Sequence, residues 1–198
     1  MRRLLLVRHC ESTGQDPEAP LTVRGHVQAA RLTARLAPLA PDLFISSPYL
    51  RARQSIAPLA RRLGTVVSID DRLRERRLGD EPIADWRRAV RESFDDLDRA
   101  LPGGESSRAA QARARAAVAD ALATDCRLPL LATHGNWLAL VLTAIDGRFG
   151  YAGWQSLTNP DVFLLTADVG VWSYERLADT MIRPSPAALY PSTRRSLV

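Results

Sequence analysis

Residues 7–15 read VRHCESTGQ. Arg8 and His9 stand side by side directly after the apolar run Leu4 to Val7, and Cys10, Glu11, Ser12 and Thr13 follow at once. That is a dense set of reactive groups for the end of a buried strand. Three of them could be a nucleophile: His9, Cys10 or Ser12. A cysteine that attacks phosphate needs an arginine shortly after it, yet Asp16 lies six residues beyond Cys10 and Ala132 six beyond Cys126. A hydrolytic serine needs a G-x-S-x-G elbow, which the chain lacks. Metal hydrolysis needs clustered histidine and carboxylate ligands. With only His9, His26 and His134, and no HxH or HxxxH pair, no metal site is expected. What remains is attack through a ring nitrogen of His9.

The 198 residues suffice for one substantial domain whose core needs no disulfide or structural metal. The two cysteines make no framework, so reduced thiols and a cytoplasmic location are expected. The apolar run after Arg2 and Arg3 is too short for a signal peptide, and Trp137 to Ile145 is too short to span a bilayer. No membrane association is expected. Net charge is +5, and all 27 basic residues are arginine. With no lysine there is neither a Schiff-base nor a P-loop lysine, so any oxyanion site must use the planar arginine fork. The arginines are interleaved with Asp and Glu and form no basic-aromatic stripe, which argues against a nucleic-acid partner.

Short apolar runs alternate with helix-period segments. Strands are expected at 3–8, 43–45, 66–69 and 128–133. Helices are expected from the Thr22 cap to Leu39, from a Ser46-Ser47-Pro48 start to Leu63, over 105–123, and from His134-Gly135-Asn136 to Ile145. Residues 71–104 are rich in charge, carry one expected helix over 83–100, and read as a lid over about 76–104. Val162 to Thr166 and Val169 to Leu177, joined at Ala167-Asp168, predict an edge hairpin, and a homodimer through that edge is one expectation. Residues 1–178 read as a single domain, and 179–198 as a Pro- and Ser-rich mobile tail. The alternation predicts an α/β fold with a mainly parallel sheet, whose ligands bind beyond the carboxyl ends of the strands. Three strand ends then converge: Arg8-His9, Ser46-Ser47 with Arg51, and Thr133-His134. Two arginines, two histidines and two helix N-termini in one place suit a phosphoryl group.

Six ordered segments resemble the histidine phosphatase superfamily, which includes the cofactor-dependent phosphoglycerate mutases. VRHCEST resembles its RHG signature; PLTVRGHVQA (20–29), ISSPYLRARQS (45–55), RLRE (72–75), PGGES (102–106) and THGN (133–136) resemble its later motifs. The resemblance implies a three-layer αβα sandwich with a small helical lid. It implies His9 as the nucleophile and Arg8, Arg51 and His134 as holders of the phosphoryl oxygens. It makes Glu75 the general acid and base, with Gln15 and Asn136 as further phosphate or substrate contacts. From the residues alone Glu75 reads as a salt-bridge partner of the arginines around it.

The chain departs from the family pattern at several points. Cys10 replaces the usual glycine, read either as a thiolate-prone thiol beside two cations or, preferably, as an inert small residue. Gln15 replaces a common asparagine, and no W-E-G follows Glu75. Only Asp16 to Ala19 separate the first motif from PLT, where mutases carry a longer segment. A shorter, more open site should admit water, which favours a phosphatase over a mutase. The expected ligand is a small phosphorylated metabolite, with phosphate or sulfate able to occupy the site. No cofactor is expected, apart from a bisphosphoglycerate primer in the mutase case. The alternatives are a mutase and a non-catalytic phosphate-binding module. The lid's Trp86, Phe94, Arg87, Arg88 and Arg91 either meet substrate or face solvent.

Overall fold

The computed structural model describes residues 1–80 and 83–178. The expected mobile tail, 179–198, and Glu81 and Pro82 of the lid lie outside the described residues. The first strand, β1 (Arg2–Arg8), leads to α1 (Val23–Leu36) and a short 3-10 turn (Ala37–Leu39). Next come β2 (Leu43–Ser46), α2 (Leu50–Leu63), β3 (Val67–Ile69) and a second 3-10 turn (Asp71–Leu73). The lid helix α3 (Trp86–Asp95) precedes α4 (Ser107–Ala123), β4 (Pro129–Thr133), α5 (Gly135–Ile145) and α6 (Gly150–Ser156). The chain closes with β5 (Asp161–Asp168) and β6 (Val171–Arg176).

The six strands form one sheet in the order β3-β2-β4-β1-β5-β6. The first four are parallel; β5 runs antiparallel to β1, and β6 antiparallel to β5. Strand β1 explains the layering. Its side chains alternate, so Leu4 and Leu6 join a core with α4 and α5, while Leu5 and Val7 join one with α1 and α2. A strand buried on both faces reads as an unbroken apolar run, and Leu4 to Val7 are each 0% exposed. Helix α5 fills the middle of its layer, with eight of its eleven residues buried. Register then aligns the strand ends: Arg8 pairs with Thr133, and Ser46 with Ala132.

Three local expectations are corrected. Helix α2 starts at Leu50 with Tyr49 as a cap that makes no side-chain bond. The Ser47 hydroxyl bonds His134 and accepts from the Tyr49 N–H, and Pro48 lies before the helix. The lid helix covers 86–95 rather than 83–100. The hairpin turns at Val169-Gly170, not Ala167-Asp168, because pairing runs through Asp168↔Val171. Both turn residues have positive φ, 44° and 80°, which matches the right-handed strand twist of a two-residue hairpin. Helix α6 was not anticipated, since two glycines in GYAGWQS hide it. Among the described residues no helix is long and apolar enough to cross a membrane.

Candidate active site

The backbone carries His9 just past the end of β1, its N–H donating to the Thr133 carbonyl at 3.0 Å. Its carbonyl accepts from Asn159 Nδ2 at 2.7 Å. The ring is fixed as well: Nδ1 lies 2.7 Å from the Cys10 carbonyl. A carbonyl can only accept, so Nδ1 carries the proton and Nε2 keeps its lone pair. Arg51 Nε donates to that nitrogen at 3.3 Å. Burial pushes the His9 pKa down from 6.5 to about 3, with Arg51 and Arg8 acting the same way against the opposing Cys10 bond. The imidazole is therefore neutral across the physiological range.

Two arginines flank it, Arg51 buried and Arg8 half-buried. Arg51, in the first turn of α2, is 1% exposed. Its Nη1 donates to the carbonyls of Gln15 (3.0 Å) and Asp16 (2.9 Å), which fixes the guanidinium against the loop that follows His9. Arg8 donates from Nη1 to the carbonyls of Leu157 (3.0 Å) and Thr158 (3.3 Å), just after α6. Its guanidinium lies flat against Gly135, where a Cβ would fall 3.0 Å from Nη2. Burial lowers the pKa of both arginines and Glu75 raises it, but a guanidinium stays charged regardless. His134 is 0% exposed, its Nε2 is 2.7 Å from Ser47 Oγ, and its ring centroid is 5.1 Å from that of His9. Burial, followed by His9 and the arginines, holds its pKa well below the usual value. Arg8 Nε, His134 Nδ1 and Asn136 Oδ1 are buried without a hydrogen-bond partner.

Glu75 follows the second 3-10 turn. Its Oε1 accepts from the N–H groups of Arg76 and Trp137, both at 2.9 Å, and its Oε2 from that of Asn136 at 3.0 Å. The N–H groups of Asn136 and Trp137, in the first turn of α5, thus belong to this carboxylate. The salt-bridge reading of Glu75 fails too: the carboxylate rests on backbone N–H groups, not on the neighbouring guanidinium groups. Its loop is tied to the sheet by Thr133 Oγ1 on the Leu73 carbonyl (2.9 Å) and by Trp137 Nε1 on that of Arg72 (2.7 Å).

The structure brings together Arg8, His9, Arg51, Glu75, His134 and Asn136. Gln15 contributes only its carbonyl, and its side chain is exposed. Cys10 is buried, and burial pushes its thiol up to about 11, so the thiolate reading is wrong. Its N–H donates to Ser55 Oγ at 2.8 Å, which pins the turn. Gly25 lets α1 approach that turn, since a Cβ would sit 2.1 Å from the Glu11 carbonyl. Gln28 Oε1 accepts from the Glu11 N–H and Gln54 Oε1 from that of Leu21, both at 2.8 Å, so the glutamines of two motifs brace the loop. In the lid, Trp86 meets Trp154 edge-on at 6.1 Å, Phe94 meets Tyr151 at 6.3 Å, and Arg87 lies over Trp86. Arg88 is paired with Glu92. Asn159, Ser55 and Arg113 were not singled out in the sequence: Asn159 and Ser55 bond residues far away along the chain, and only the 45–55 and PGGES motifs, which hold Ser55 and the Arg113 partner Glu105, gave a signal. Among the described residues no cluster of three or more His, Cys, Asp or Glu side chains could hold a metal ion.

Several known proteins resemble this chain. A probable phosphoglycerate mutase GpmB from Enterobacter sp. (strain 638) is 31% identical over 172 residues, 77% of this chain and 78% of the relative. A mycobacterial glucosyl-3-phosphoglycerate phosphatase, solved with inorganic phosphate, superposes with a TM-score of 0.74 at 28% identity, covering 88% of this chain and 96% of the other. A phosphoserine phosphatase from Entamoeba histolytica, solved with phosphoserine, shares the fold with a TM-score of 0.73 at 17% identity, covering 91% and 98%. The sequence also matches the profile of the histidine phosphatase superfamily (branch 1) over residues 4–180. With that match spanning most of its length, the chain belongs to the histidine phosphatase superfamily.

Proposed function

We propose that this protein is a phosphomonoesterase that works through a phosphohistidine at His9. The observation that carries the proposal is the His9 ring itself, held neutral with Nδ1–H on the Cys10 carbonyl and Nε2 facing Arg51. In the first step Nε2 attacks phosphorus and the ester P–O bond breaks. Glu75, as the carboxylic acid, gives its proton to the departing oxygen. In the second step Glu75 takes a proton from water, the water oxygen attacks the phosphohistidine, and the P–N bond breaks to release inorganic phosphate. Arg8, Arg51 and His134 hold the phosphoryl oxygens and stabilise charge that grows in the transition state. The buried, unpartnered Arg8 Nε, His134 Nδ1 and Asn136 Oδ1 fit a polar guest here. None of these steps uses a metal or cofactor, and the substrate is a small phosphorylated metabolite in the cytoplasm.

Hydrolysis of p-nitrophenyl phosphate, with EDTA present, tests the proposal. Wild type should turn over and His9→Ala should lose at least about 1000-fold in kcat. Activity surviving in the variant, or vanishing with the chelator, overturns it. A mutase is the second reading, favoured by the GpmB relatives. Its test is incubation with 3-phosphoglycerate and a bisphosphate primer. The short Asp16 to Ala19 connection supports release of phosphate to water; isomerisation outpacing that release would reverse the preference.

A further inference from the structure

We infer that Arg113, on the outer layer and away from the phosphoryl site, is the residue that positions Glu75 for proton transfer. The inference rests on the phosphomonoesterase reading above. All three guanidinium nitrogens of Arg113 are committed. Nε and Nη2 grip the Glu105 carboxylate at 2.7 and 2.8 Å. Nη1 donates to the carbonyls of Arg72 (2.7 Å) and Arg74 (2.9 Å), the second directly preceding Glu75. The side chain is only 14% exposed, so this fork is well shielded from water.

Glu105 closes the frame from the other side. Its N–H donates to the Arg77 carbonyl at 2.8 Å, and its own carbonyl accepts from Arg76 Nε at 2.8 Å. The Glu105–Arg113 pair thus touches Arg72, Arg74, Arg76 and Arg77, on both sides of Glu75. Arg76 in turn donates from Nη1 to Ser93 Oγ of the lid helix at 2.6 Å. This accounts for the PGGES motif, whose glutamate touches no reacting group yet fastens the segment that carries one.

The seating of the loop and the aim of Glu75 are separable. Leu73, 0% exposed, belongs to the same core as Ala114 and Ala117 of α4 and anchors the loop by apolar burial. Arg113 holds the carbonyls on either side of Leu73, those of Arg72 and Arg74, and the second leads directly into Glu75. Without it the loop stays docked while Arg74 and Glu75 gain freedom. A misplacement of roughly 1 Å costs about 100-fold in rate, and the loss falls on the group that moves. Only reactions that need a proton on the leaving oxygen should register it.

The test is kcat/KM, which reports the phosphoryl-transfer half, for an alkyl phosphate and for p-nitrophenyl phosphate, whose leaving group departs as a stabilised anion. Arg113→Met should lose roughly 30- to 100-fold on the alkyl ester and less than about threefold on the aryl ester. Competitive inhibition by inorganic phosphate should stay within about twofold, because Arg113 makes no hydrogen bond to Arg8, Arg51 or His134. In a Glu75→Gln background the same substitution should add no leaving-group-dependent loss. Should Arg113→Met not fold, Arg113→Lys, which keeps the charge but cannot span both carbonyls and Glu105, should show the same selective loss at smaller size. Equal losses on both esters, or additive losses with Glu75→Gln, overturn the positioning role. If Glu75→Gln itself shows no preference for the alkyl ester, the assignment of Glu75 as the acid fails, and this inference fails with it.

Discussion

Acid should weaken this fold by an amount that His9 sets. His9 is buried and neutral, with its pKa lowered from 6.5 to about 3. An unfolded chain has no such restraint and binds a proton as pH falls through about 6.5. Between those two values the unfolded state therefore holds more protons than the folded one, and stability drops as pH drops. The full window of 3.5 units, at about 1.4 kcal/mol per unit, is worth roughly 5 kcal/mol. That equals the entire net stability of a marginal domain. Moving only from pH 7 to pH 5 should cost about 2 kcal/mol through His9 alone. The comparison is with His9→Asn, whose amide can still donate to the Cys10 carbonyl but cannot titrate. Urea unfolding of both proteins should be measured at pH 7, 6 and 5 in buffers free of phosphate and sulfate, because an anion bound to the native site would offset the effect. His134 pushes in the same direction in both proteins, chiefly through its own burial. The variant's disadvantage should shrink by about 2 kcal/mol between pH 7 and pH 5. Two stability curves that stay parallel would refute a buried neutral His9.

Two further outcomes follow from close contacts. Gly135→Ala places a Cβ 3.0 Å from Arg8 Nη2, so kcat/KM should fall roughly 10- to 100-fold, with the melting temperature unchanged or higher because alanine favours the helix. Full activity would show that the Arg8 position is not critical. Cys10 is buried with its thiol pushed up to about 11. Peptide mass spectrometry after iodoacetamide treatment of the native protein near pH 8 should therefore find Cys126 alkylated and Cys10 not, until urea is added.

Legibility in the sequence followed how local the determining contacts were. Arg8 ends an apolar strand, His9 and His134 directly follow one, and Arg51 opens the helix after another, so parallel pairing alone stacks those strand ends. Glu75 was different. It sits in an irregular loop among Arg72, Arg74, Arg76 and Arg77, and what holds it arrives from Asn136 and Trp137, sixty-one and sixty-two residues away. Spacing along the chain could not reveal that, so only the family resemblance pointed to it. Ser47 shows the reverse failure. A serine before a proline is a sound local cap signal, but His134, eighty-seven residues on, engages its hydroxyl and the helix starts later. Cys10 seemed exposed to two cations because sequence gives adjacency without burial.

The most direct test of the account is to catch the intermediate. Protein mixed with substrate and quenched in alkali within milliseconds should carry one phosphoryl group, mapped by tandem mass spectrometry to His9. The modification should be stable in base, lost in acid, and absent in His9→Asn. Glu75→Gln should accumulate it whenever hydrolysis slows more than attack. Turnover with no phosphoenzyme at any quench time, or a phosphoryl group on Cys10, Ser12 or His134, would contradict the central claim.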